Sequence, residues 1–137
     1  MLRSVVAFAL GFVVLGAAGV LTANLFTNSM LVAAGWQPGV APPLGYIWTT
    51  LAADFAGSLL AGLVLAWVAG KWANQTALAL ILLVAAMRAY QYISALGSNP
   101  HWYSLALIFI PLVGVPLGVM LRKRLSWSND RMHPNHQ

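Results

Sequence analysis

The sequence predicts an all-α integral membrane fold: a four-helix bundle with short loops and both chain ends on the cytoplasmic side (N-in/C-in). Three observations predict it. Apolar residues make up 61% of the 137 positions and charged residues only 7%, where soluble domains carry about 25% charged residues. So few charges cannot clothe a water-facing surface, which leaves lipid as the solvent. Four apolar runs are each long enough to cross a hydrocarbon core, which takes about 20 residues at 1.5 Å rise. The basic residues gather at alternate segment ends, and that asymmetry orients the bundle.

The expected spans are residues 5–26, 45–70, 76–96 and 102–121, one bundle domain over 1–121, followed by a basic, polar cytoplasmic tail over 122–137. None of the runs alternates apolar with polar residues, so none reads as a strand. Turn chemistry separates them: "QPGVAPPLG" after the first, "GKWANQ" after the second and "GSNPH" after the third. The first connection is the longest and carries no charge; its "MLVAAGW" stretch is apolar enough to lie in the membrane interface. Pro111 and Pro116 are expected to bend the last span. A competing reading makes the first run a cleaved signal peptide, with a basic start and small residues near Ala18 and Ala23. The run is longer than the usual apolar region of about 7–15 residues, which favours a retained span.

If the spans alternate, Arg3, Lys71, Arg122, Lys123, Arg124 and Arg131 all fall on one side, and the loops of the other side hold no Lys or Arg. Short basic segments stay cytoplasmic. Trp36, Tyr46, Trp48, Trp102 and Tyr103 mark the outer interface, while Trp67, Trp72 and Trp127 mark the inner one.

Two charges fall inside spans. Asp54 and Arg88 are each 17 residues from Lys71, one before it and one after. In an antiparallel hairpin, equal distance from the turn means equal depth, here roughly 12–14 Å below the outer boundary. A lone charge near the centre costs about 2.5–3.5 kcal/mol even on lenient insertion scales. Two opposite charges at one depth on neighbouring helices relieve each other, so an Asp54–Arg88 pair is expected. It reads as a clip fixing helix register or as the base of a ligand or partner site. Thr50, Gln91, Tyr92 and Asn24 are placed to line an outward-facing polar pocket above it. Ser58, Gly62 and Ala66 follow Asp54 at four-residue steps, and Gly114 and Gly118 repeat the pattern in the last span. Such stripes let membrane helices approach closely.

Several chemistries find no support. The chain has no cysteine, which excludes disulfides and thiolate chemistry. His133 and His136 lack a carboxylate or cysteine to complete a metal site. No nucleophile–base pair, phosphate-cradling loop or HExxH motif is present, so no catalytic residue, cofactor or metal is expected. Net charge is +5, but it sits at span ends and forms no nucleic-acid patch.

The outline "W…LAADFAGSLLAGLVLAWVAG" followed by "NPHWYSLALIFIPLVGVPLGVMLRKR" resembles the uncharacterised small four-span proteins of bacterial inner membranes. The resemblance implies that location and no particular activity. The expected role is a non-catalytic accessory or scaffold subunit, with the lipid bilayer and an unlike membrane protein or further copies as partners. The alternative is an oligomeric small-molecule or ion transporter with Asp54 as coupling acid. A third reading is a membrane enzyme acting on a lipid or quinone.

Overall fold

The computed structural model describes residues 2–22, 28–37, 40–94 and 100–132, with side chains described as far as Ser126. Among the described residues five α-helices occur in chain order: α1 (Leu2–Thr22), α2 (Asn28–Ala33), α3 (Leu44–Ala69), α4 (Ala73–Ser94) and α5 (His101–Met132). No strand occurs among the described residues. Among these residues three helical runs are long and apolar enough to cross a membrane: Leu2–Thr22, Leu44–Ser94 and His101–Ser126.

The middle run is helical across 51 residues, yet it is not one rod. Positions 34 apart would sit about 51 Å from each other on a straight helix, whereas Arg88 touches Asp54. The chain reverses at Gly70–Trp72, a single 3-10 turn. Gly70 adopts φ +56° there and donates its N–H to the Ala66 carbonyl. That left-handed geometry favours glycine, which has no Cβ to clash. Prolines open α3 and α5. The Pro43 carbonyl accepts from Ile47 N–H and the Pro100 carbonyl from Tyr103 and Ser104 N–H. Proline suits such a start because its missing N–H is not needed there.

α3 is the central helix. A Cβ on Gly57 would run into Ala18, while Gly11 faces Ala61 and Leu65, so α1 runs antiparallel to α3. Gly114 meets Phe55 and Ser58, and Gly118 meets Leu59, Gly62 and Leu63. Rising numbers pair with rising numbers, so α5 runs parallel to α3. The small-residue stripes of the second and fourth expected spans therefore pack on each other within one chain. The seam below Asp54 belongs to α5, not to the helix that carries Arg88. A methyl on Gly62 would overlap the Val115 carbonyl oxygen, which shows how closely the backbones approach.

α4 runs antiparallel to both neighbours: Lys123 donates to Asn74 at 3.0 Å at one end, and Tyr92 meets His101 at the other. Helix direction thus alternates through α1, α3, α4 and α5. Arg3, Lys71 and Arg122–Arg124 consequently share one end of the bundle, hereafter the basic end. Buried packing comes in two parts. Toward the basic end, Ala7, Leu15, Leu65, Leu80 and Val115 join α1, α3, α4 and α5. Toward the opposite end, Ile47, Leu51 and Tyr103 join α3 and α5. α2 folds against the start of α3, where the Thr49 hydroxyl reaches Met30 Sδ at 3.8 Å.

α5 passes Pro111 and Pro116 without interruption and continues past the expected span end at residue 121 to Met132. "RKRLSWSNDRM" contains neither glycine nor proline, so nothing local stops the helix before Pro134.

Candidate functional site

The site lies in the half of the bundle away from the basic end, where α3, α4 and α5 carry most of its polar side chains. Asp54 is on the central helix, with only 6% of its side chain exposed. Arg88 reaches it from α4: Nη2 donates to Oδ1 at 2.7 Å, and the Arg88 side chain keeps 27% exposure. The contact is end-on. A carboxylate and a guanidinium more often strengthen each other through two parallel bonds. Here Asp54 Oδ2 is occluded and has no hydrogen-bond partner among the described residues.

Tyr103 belongs to the same cluster. It is buried at 4% exposure in the packing with Ile47 and Leu51. Its side chain lies near Thr50 and within electrostatic reach of Tyr46, Arg88 and Asp54. Thr50 Oγ1 itself donates to the Tyr46 carbonyl at 2.9 Å. The Tyr103 ring thus brings α5 against α3 beside the ion pair.

Of the four residues expected to line a pocket, Thr50 joins this cluster. Gln91 is exposed on α4. The Tyr92 hydroxyl lies 3.1 Å from His101 Nδ1, with the rings edge-on, so it ties α4 to the start of α5. Asn24 lies outside the described residues. The stripe residues Ser58, Gly62, Ala66, Gly114 and Gly118 are buried. Ser58 donates to the Asp54 carbonyl at 2.7 Å, an intrahelical bond that takes its hydroxyl out of contention as a partner for the carboxylate.

Sequence reasoning missed Tyr103, taking it for an interface aromatic. A signal was present: Tyr103, Leu107, Pro111, Gly114 and Gly118 fall at steps of four, four, three and four, which is one face of a helix. The face that carries the glycine stripe therefore also carries the tyrosine. His133 and His136 lie outside the described residues, and no group of three His, Cys, Asp or Glu side chains gathers among those described.

The arrangement suits two tasks. It anchors α4 to α3 where apolar packing between them is thin: the buried residues of α4 end at Val84, before Arg88. It also holds one edge of a guanidinium in fixed orientation. No protein-family model matches the chain, and neither the curated proteins nor the solved structures searched contain a significant match. The helical architecture and its long apolar runs are consistent with a multi-pass membrane protein.

Proposed function

We propose that the chain crosses a bacterial inner membrane four times, with both termini cytoplasmic, and serves as a non-catalytic accessory or scaffold subunit. In this reading residues 1–121 form the bundle domain and 122–137 the cytoplasmic tail. The alternating helix directions support four crossings, α3 and α4 each providing one. The basic end takes the cytoplasmic side by the positive-inside rule.

One observation carries the accessory role. The hydroxyls of Thr22, Thr49, Thr50, Ser58, Thr76 and Ser94 each donate to the backbone carbonyl four residues earlier. Polar groups bonded in this way satisfy the helix that bears them rather than form a line of sites for a moving ion. The outward faces offer large apolar side chains such as Val13, Leu82 and Tyr90 to lipid or to a neighbouring protein. The test is isolation in mild detergent after photocrosslinking from position 13 on α1. An unlike membrane protein recovered at fixed stoichiometry and joined through that position is the expected result. Free protein or like copies alone would contradict the accessory role.

Asp54 Oδ2, without a hydrogen-bond partner among the described residues, favours a second reading, an oligomeric transporter in which Asp54 is the coupling acid. There, Asp54→Asn abolishes proton-coupled uptake in liposomes while the fold survives. Unchanged flux in that variant removes the reading.

A further inference from the structure

We propose that the free edge of Arg88, with Gln91 beside it, binds an oxyanion of the carboxylate or phosphate class. A guanidinium carries five N–H donors in a planar fork. The contact with Asp54 engages Nη2, and no other acceptor among the described residues meets Arg88. Donors left unmatched in hydrocarbon are costly, by several kcal/mol each, so the exposed edge is poised to take an acceptor.

Three features select the ligand. The accessible element is the cation: Asp54 Oδ2 is occluded, while Arg88 is more than a quarter exposed. The site therefore offers donors outward and hides its carboxylate, which favours an anion over an amine. The fork suits two oxygens on one centre, as in a carboxylate or phosphate. Gln91, three residues on along α4 and exposed, stands on the same face and adds an amide donor.

The surroundings favour delivery on an amphiphile. Beyond Val84 no residue of α4 is buried, and Leu83, Met87, Tyr90 and Ile93 are exposed. An acyl chain lying along that apolar surface brings an acidic headgroup to Arg88. A free anion from the water would use the same donors. The inference goes beyond the accessory role and holds whether or not a partner protein docks elsewhere.

The test measures equilibrium binding of radiolabelled oleate and phosphatidic acid, and of acetate and inorganic phosphate, to the full chain in neutral detergent. Methyl oleate is the uncharged control. Expected affinities for the amphiphilic anions fall about tenfold in Arg88→Lys, which keeps the charge but loses the fork, and about threefold in Gln91→Ala. Lys71→Ala, at the basic end, leaves them unchanged. Equal binding of acetate or phosphate with the same dependence on Arg88 assigns the ligand to the water phase and upholds the oxyanion site. No binding, methyl oleate binding as tightly as oleate, or equal affinity in all variants overturns it. Gln91→Ala changes an exposed side chain, so it decides the question even if Arg88→Lys fails to fold. A crosslinked partner protein together with absent anion binding would overturn this inference and leave the accessory role standing.

Discussion

Tyr103 of α5 lies near Thr50 of α3, whose hydroxyl donates to the Tyr46 carbonyl. Tyr103→Phe keeps the ring in its place among Ile47 and Leu51 and removes only the O–H. Loss of a polar contact made by this hydroxyl is expected to lower stability by about 1 kcal/mol, read by steric trapping in bicelles; no loss would mean that Tyr103 contributes packing alone. At this scale the sequence was partly legible. Asp54 and Arg88 stood out because charges are rare in apolar runs, and their common distance from Lys71 suggested a shared depth. The end-on contact was not legible, because it depends on side-chain rotamers that no spacing reports. Tyr103 was misread because an aromatic near a span end has two ordinary uses, facing headgroups or filling the bundle. Its position on the face of Gly114 separates them only once that face is known to meet α3.

Among the helices, α3 and α5 show the closest backbone approach, and glycine makes it possible. A Cβ at Gly62 would meet the Val115 carbonyl, whereas one at Gly16 would meet nothing within 4 Å. Gly62→Ala is expected to destabilise by about 1–3 kcal/mol through overpacking. Gly16→Ala, free of contacts on α1, should be neutral or gain up to about 1 kcal/mol from helix propensity. Equal effects in a thermal melt of the two variants would show that the α3–α5 seam is not tight. The existence of the long helices was legible from run length, and the breaks from glycine and proline. Which helix the stripes face was not, since a small-residue surface fits any neighbour equally well. The length of α5 beyond residue 121 was hidden by polarity: "RKRLSW" leaves the apolar run but keeps residues that are content in a helix.

The whole molecule is a central helix flanked on one side by an antiparallel neighbour and on the other by a parallel one, with α4 fastened across the open half by its arginine. The absence of cysteine permits single-site labelling on an unaltered background. Ser4→Cys and Ser126→Cys are expected to react with a membrane-impermeant maleimide only after the cytoplasmic face is opened, and His101→Cys in intact cells. Labelling of positions 4 and 101 from the same side would refute four crossings. The fastening itself has the most direct test, a double-mutant cycle on Asp54 and Arg88 measured by steric trapping in bicelles. Asp54→Ala and Arg88→Ala are each expected to cost about 3–5 kcal/mol, because each strands a charge in a low-dielectric setting. The double variant should cost less than their sum by about 2–3 kcal/mol. Strictly additive losses would contradict the pairing of these two residues as the link that holds α4 to α3.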